Sequence, residues 1–229
     1  EIASGLEVLN ELIEGNQFIF DLLGSRSVLV SAHMYKRNDY DFLYLIDIKG
    51  KINTNTIEDI LKKVIDNETY KVSVRDYKES QIIELFDKEY KETMYISAHE
   101  NILMVSYRHT LIEKSLDEYV NPSIGRDINF IEISDHTDDS DLFKMYLNYK
   151  ELPSYMSCFL DDKEPTVGEL SKSIFYSGFT FDLNNDGEVS LSGFSNVNDT
   201  VNSFLNALNK SGKGKLEVSK VAPDITAFY

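Results

Sequence analysis

The sequence predicts an α+β fold in which antiparallel β-sheets are built from hairpin-then-helix (ββα) units, with the helices packed on one face. Apolar and polar residues alternate with a period of two in several paired runs, which is typical of half-buried strands. Three of these hairpins are followed by a run with apolar residues at helical spacing. The first two units also share a tripeptide, Ser31-Ala32-His33 and Ser97-Ala98-His99, which favours a loose internal duplication.

The first half, 1–120, is predicted to hold two hairpin-helix units. Thr56 with Asp59, and Thr110 with Glu113, have the spacing of helix capping boxes. The predicted elements are, in order, two short helices within Leu6–Leu23, strands Val28–Met34 and Phe42–Ile48, helix Thr56–Ile65, strands Tyr70–Tyr77, Gln81–Phe86, Thr93–His99 and Ile102–Tyr107, and helix Thr110–Val120.

An acidic connecting segment is predicted over 121–141, followed by a second α+β half over 142–229 with one hairpin-helix unit. Asp138, Asp139 and Asp141 in its loop 135–141 could bind a hard cation, but a solvated charged loop is the interpretation we prefer. The second half is predicted to contain strand Leu142–Tyr149, a short helix within Ser154–Leu160, a hairpin within Gly178–Phe194, and helix Asp199–Lys210 with Asp199 as its N-cap.

The hairpin segment reads GFTFDLNNDGEVSLSGF and has the clearest alternation in the chain. Keeping its apolar residues on one face requires Leu183 opposite Val189. That register leaves a three-residue loop, Asn185-Asp186-Gly187, with Gly187 in the left-handed conformation.

The same turn has a competing interpretation as a calcium loop. Asp182, Asn184 and Asp186 would be metal ligands at positions one, three and five of an EF-hand pattern. Two features favour the hairpin turn: the flanks alternate as strands, and Gly193 stands where the bidentate glutamate belongs. We therefore expect no cofactor, with calcium as the alternative.

Other candidate chemistry is sparse. His33 and His99 occupy equivalent places in the first two hairpins, so they could converge on a metal or act as general bases, but a strand histidine with a local partner is the preferred interpretation. Ser31 lies on the same strand face as His33, yet a triad would also need an orienting acid. Cys158 is the only cysteine, so the sequence has no disulfide framework and no cysteine zinc site.

Composition limits the remaining classes. At 229 residues the chain can bury a full core. Its net charge of −16 argues against binding to nucleic acid or to anionic membranes. No apolar run approaches the roughly 18 residues that a membrane span requires, so this part of the chain is predicted to have no transmembrane segment.

Several motifs together resemble a known family. They are SVLVSAH, DYDFLYLIDI, MYISAHENILMVSYRHTLIEKSL, MYLNYKELP and GFTFDLNNDGEVSLSGF. Their order is similar to that of an uncharacterised family, a domain of unknown function, of exported and often lipid-anchored proteins from Bacteroidetes-type bacteria. The resemblance implies a protein of the periplasm or cell surface, membrane-anchored at full length, of which this sequence is a fragment.

The expected function is accordingly a non-enzymatic, envelope-associated interaction or structural module with a protein or glycan partner. The alternative is a carboxylate- or cation-dependent hydrolase acting on an extracellular polymer, since paired carboxylates leave no spacing rule in a sequence. A pocket where two carboxylates meet would favour the enzyme, whereas an open groove or sheet edge would favour partner binding.

Overall fold

A computed structural model describes residues 26–50, 54–65, 68–137, 143–160, 165–184 and 186–211. The two helices predicted within Leu6–Leu23 lie outside these residues, as do Asp138, Asp139 and Asp141 of the acidic loop. The chain divides into two compact units, Glu1–Ile124 and Gly125–Tyr229. Both contain antiparallel sheets and helices, so the predicted α+β class is confirmed.

The first unit is organised around a six-stranded antiparallel sheet. Its spatial order is β1-β2-β6-β5-β4-β3, so β1 and β3 are its edges. Antiparallel hairpins join β1 to β2, β3 to β4, β4 to β5 and β5 to β6, and β2 pairs with β6 to join the first hairpin to the others. The strands are β1 (Val28–Lys36), β2 (Asp39–Asp47), β3 (Tyr70–Tyr77), β4 (Ser80–Asp87), β5 (Thr93–His99) and β6 (Ile102–Ser106).

Two helices cover opposite faces of this sheet. Helix α1 (Thr54–Val64) places Leu61 in a core with Ile46, Ile83 and Ile96. Helix α2 (His109–Val120) packs Ile112 on the other face, where Leu43, Ile82 and Met104 form a second core. The predicted packing of helices on one face is therefore wrong for this unit. Both strand faces carry enough apolar residues to bury, so each face requires its own helix.

The second unit has a three-stranded sheet in the order β7-β8-β9. A helix, α3, lies against one face of this sheet, with Ile133 fully buried there. The elements are α3 (Ile128–His136), β7 (Phe143–Asn148), α4 (Leu152–Met156), α5 (Pro165–Ser173), β8 (Ile174–Leu183), β9 (Val189–Val197) and α6 (Phe204–Lys210), preceded by a 3₁₀ turn at Ile124–Arg126.

Aromatic contacts and polar ties hold α3 on its sheet. The ring of Phe130 meets Tyr146 and Tyr176 edge-on, with ring centroids 5.4 and 5.6 Å apart. Asn196 of β9 donates from its side chain to the Asn129 carbonyl at 2.9 Å. The segment expected to be a connector therefore contains a helix that completes the core of the second unit.

The predicted helix caps are wrong in three places. Helix α1 begins before Thr56, and α2 has Arg108 at its N-cap with no side-chain cap bond. Helix α6 is capped by Ser203, whose hydroxyl accepts from the Asn206 amide, and not by Asp199. Each true start lies before or after the residue chosen from the sequence, because capping patterns recur by chance in a chain rich in Ser, Thr, Asp and Glu.

Candidate functional site

The most distinctive surface of the described residues is one face of the β7-β8-β9 sheet, on the side opposite α3. Strand alternation puts one apolar set from each strand on this side. We call it the apolar sheet face, and define it by Phe143, Met145, Phe179, Phe181, Leu183, Val189, Leu191 and Gly193. Val189 and Leu191 are each 59% exposed, so this surface is apolar and open to solvent.

The side chains of the apolar sheet face form rows across the strands. Phe143 pairs with Phe181, which pairs in turn with Leu191. The two phenylalanine rings are stacked, with centroids 4.2 Å apart and planes 16° from parallel. In the next row Phe179 lies across Gly193, where an added Cβ would be 2.6 Å from the ring. The absence of a side chain at Gly193 therefore lets the aromatic ring lie flat, and the result is a flat apolar platform.

The β8-β9 turn holds this platform together in the predicted register. Leu183 pairs with Val189, and Gly187 has a φ of +84°, so the predicted register and the left-handed glycine are both confirmed. The Asn184 amide donates to the Glu188 carbonyl at 2.8 Å, and the Gly187 amide donates to the Asn184 carbonyl at 2.9 Å. These bonds close the loop as a turn followed by a glycine in the left-handed position.

The calcium candidates occupy this turn without forming a recognisable cage. Asp186 accepts from the Glu188 amide at 3.3 Å, which is a turn bond, while Asp182 lies back in β8 opposite Ser190. Within the described residues no three His, Cys, Asp or Glu side chains are grouped as a metal site would require. The assignment of Asp182, Asn184 and Asp186 to calcium remains a prediction, with the hairpin turn preferred.

We expect calcium to leave the stability of the protein unchanged. A ligand that binds the native state raises the melting temperature by mass action, so a true site would show a shift between calcium and chelator. The measurement is thermal melting of the wild type and of Asp186→Ala in both buffers. A midpoint that rises with calcium in the wild type and not in the variant would reinstate the calcium loop.

The histidines of the two similar hairpins do not converge. His33 accepts or donates a hydrogen bond of 2.8 Å with Ser31, whereas the ring of His99 lies 4.1 Å from that of Tyr119 near the end of α2. Burial, and then the nearby charge of Lys114, lower the pKa of His33. His33 therefore has a local hydrogen-bond partner, as the preferred interpretation supposes, whereas the contact shown for His99 is with an aromatic ring.

The Ser31–His33 pair has a carboxylate near it but not in the position of a triad. Asp41 is the cross-strand neighbour of His33. Its carboxylate instead bonds the Arg108 side chain at 2.9 Å and accepts from the Phe42 amide at 2.7 Å. Asp41, the acid that would orient the imidazole of His33, thus bonds an arginine and a main-chain amide instead, and these bonds have a structural role.

Two carboxylates do meet in the first unit, but around an arginine. Arg75 bonds Glu84 through Nε at 2.9 Å and Glu113 through a terminal nitrogen at 2.6 Å. His109 also reaches Glu113, at 3.2 Å. Burial alone would raise the pKa of Glu113, but the hydrogen bonds from Arg75 and His109 outweigh burial and lower it. A general acid requires the opposite shift, so this network ties β3, β4 and α2 together.

An open groove near the start of α1 is polar. Its lining includes Asp76, Lys78, Ser80 and His99. Lys78 forms an ion pair with Asp117 of α2, so its charge is already compensated. The groove is open rather than enclosed, and Glu79 and Glu100 also line it.

Comparisons with protein-family models, with curated proteins and with solved structures found no match for this chain. The class that the fold and the site define is an antiparallel α+β protein with an open apolar sheet face. Among the described helices none is long and apolar enough to span a bilayer.

The sequence predicts the strands that form the apolar sheet face but not that this face is open to solvent. Alternation predicts each contributing strand as half-buried, with Phe179, Phe181 and Leu183 together on one face. What the sequence could not show is that α3 takes the other face of the sheet. The polar residues of that other face, such as Thr180, were expected to face solvent, yet Thr180 is 4% exposed.

Proposed function

We propose that this protein is a non-enzymatic interaction or structural module that binds a partner through the apolar sheet face. The observation that carries the proposal is the set of exposed Phe, Met, Leu and Val side chains on one sheet face. Contiguous apolar patches of this kind are unusual on a protein without a partner, because leaving each such side chain in water forgoes about 1.5–3 kcal/mol of burial.

The proposal includes a place of action. The motifs that resemble exported, lipid-anchored bacterial proteins support a module of the periplasm or cell surface with a protein or glycan partner. The strong net negative charge of −16 also favours a partner other than nucleic acid.

The hydrolase alternative has less support among the described residues. Its best carboxylate pair, Glu84 with Glu113, holds Arg75 between its members. Its best nucleophile pair, Ser31 with His33, has its neighbouring Asp41 bonded to Arg108. In both places an arginine already bonds the carboxylate that catalysis would need.

Photo-crosslinking in the cells that make the protein tests the proposed function. A photoreactive side chain at Val189 sits on the apolar sheet face and should give discrete adducts of the full chain with its partner. Leu191→Lys, one row away on the same face, should abolish these adducts, since a desolvated charge in the contact is costly. The melting temperature should stay within the small range typical of surface substitutions.

Ser190→Lys is the matched control. Ser190 is exposed on the same strand, but its side chain points to the opposite side of the sheet. It should leave both the adducts and the melting temperature unchanged. Adducts that survive Leu191→Lys, or that both lysine variants abolish equally, would contradict binding at this face.

A further inference from the structure

The β9 strand is an edge of the three-stranded sheet, and it is open along most of its length. Its described partner is β8, on one side only. Residues Val189 to Ser195 are all exposed, although alternate residues of a strand point to opposite faces. Phe194 stacks on His136 of α3, with ring centroids 4.6 Å apart, whereas Val189 to Gly193 are exposed on both faces of the strand.

The order of hydrogen-bonded and non-bonded residue pairs along the hairpin shows which main-chain groups of β9 point outward. Asn184 and Glu188 form a hydrogen-bonded pair at the turn, and such pairs alternate with non-bonded pairs along an antiparallel ladder. Ser190, opposite Asp182, and Ser192, opposite Thr180, therefore bond toward β8. The amide and carbonyl groups of Val189, Leu191 and Gly193 point away from β8, toward the free edge.

These outward-pointing residues are the same ones whose side chains lie on the apolar sheet face. A strand added beside β9 would thus bond the main chain of Val189, Leu191 and Gly193. Its own alternate side chains would extend the row that begins with Phe143, Phe181 and Leu191. One added strand would use the edge and the face together.

Between Val189 and Ser195 the β9 edge also lacks the usual protection against pairing, since the irregularity in its pairing with β8 lies beyond Ser195. Natural edge strands carry charges, prolines or bulges that prevent another strand from adding. Among the described edge strands, β1 carries Lys36, β3 carries Lys71, Arg75 and Asp76, and β7 carries Lys144. The sequence of β9, VSLSGFSNV, has neither a charged residue nor a proline.

We infer that β9 binds an extended segment of a partner polypeptide as a fourth strand of this sheet, a proposal that rests on the proposed function and specifies its ligand. The ligand is an uncharged strand with apolar side chains at alternate positions. Its main chain bonds the outward groups of β9, and its apolar side chains lie beside Val189 and Leu191.

The dimensions and charge of the protein favour such a segment over a second copy of this chain. The three strands present a platform roughly 10 Å by 15 Å, from the usual strand spacing and rise. A stable dimer buries about 800 Å² on each partner, several times that footprint. Two copies, each with a net charge of −16, would also repel one another.

Peptide binding to the full chain tests the inference. The probe is a short fluorescent peptide of alternating threonine and valine, and its binding is measured by anisotropy. The controls are two forms of the same peptide, N-methylated at alternate positions along one edge or along the other. We expect the plain peptide to bind. The form whose N-methyl groups face β9 should bind at least about tenfold more weakly, because its main-chain hydrogen bonds to β9 are lost.

A pair of protein variants separates the main chain from the side chain. Leu191→Ala and Leu191→Pro both remove the leucine, but only proline removes the outward N–H. The proline variant should bind the plain peptide at least about tenfold more weakly than the alanine variant. If the proline variant does not fold, the N-methylated peptides still decide the question with the wild-type chain.

Four outcomes would overturn the inference. Equal binding of plain and N-methylated peptides would mean that the contact is apolar adsorption without main-chain hydrogen bonds. If the plain peptide does not bind while the Val189 adducts persist, strand addition is wrong but the proposed function still stands. A wild-type dimer that Leu191→Pro dissociates would assign the edge to a second copy. Peptide binding that appears only after deletion of 212–229 would assign it to the chain's own segment.

Discussion

Gly178→Ala should lower the free energy of unfolding by about 3 kcal/mol, at the upper end of the cost of overpacking a core. A Cβ at this position would lie 2.0 Å from Thr137 Oγ1 and 2.9 Å from Ile133 Cγ2. Neither neighbour can move cheaply: Ile133 is fully buried, and the Thr137 hydroxyl donates to the Ile133 carbonyl at 2.7 Å. The substitution would push the end of α3 away from β8.

Chemical denaturation with matched variants measures this cost. Gly168→Ala, in α5, is the control, because an added Cβ there meets no atom within 4 Å. It should stabilise the protein by roughly 0.5–1 kcal/mol, the usual gain for alanine over glycine inside a helix. Thr137→Ala combined with Gly178→Ala should recover part of the loss, since it removes the closest atom. Similar stabilities for Gly178→Ala and Gly168→Ala would show that α3 does not approach β8 this closely.

The strands were predictable because their signals are local. Alternation located all nine described strands to within a few residues, and the turn between Leu183 and Val189 was fixed by the need to keep apolar residues on one face. Register and the conformation of Gly187 followed from the same argument. Each of these features depends on residues close together in the sequence.

The helices were less predictable because their assignment depends on distant partners. Helix α3 has only moderate amphipathic character, and the acidic residues that follow it suggested a connector. It is helical because Ile133 and Phe130 find a sheet that is made later in the chain, by β7, β8 and β9. Tertiary packing of this kind overrides a weak local pattern.

The candidate site was hidden from the sequence for the same reason. The alternation of a strand indicates that one of its faces is buried, but it does not show which face a helix will cover. Had α3 packed on Phe179 and Phe181, Thr180 would face solvent, as the alternation predicts. The helix instead covers the side with Gly178, which is the position in β8 that allows a close approach.

Arg75→Gln should lower the free energy of unfolding by about 2 kcal/mol, the scale of hydrogen bonds to charged groups. The variant leaves Glu84 and Glu113 near one another without the guanidinium that both now bond. The three side chains are between 22% and 33% exposed, so solvent reduces the loss below that of a fully buried pair. Lys172→Gln, in the exposed pair with Glu169, is the control and should change stability by less than about 0.5 kcal/mol.

The pH dependence of stability distinguishes the Arg75 network from simple packing. Burial alone would raise the pKa of Glu113, but hydrogen bonds from Arg75 and His109 hold it below its ordinary value of 4.5. Between the lowered folded pKa and 4.5 the unfolded chain binds more protons, so the free energy of unfolding rises with pH across that window. This contribution is complete above the window and is lost as the pH falls through the folded pKa. Arg75→Gln should flatten that part of the curve relative to wild type, and parallel curves would mean that Arg75 contributes packing and no charge.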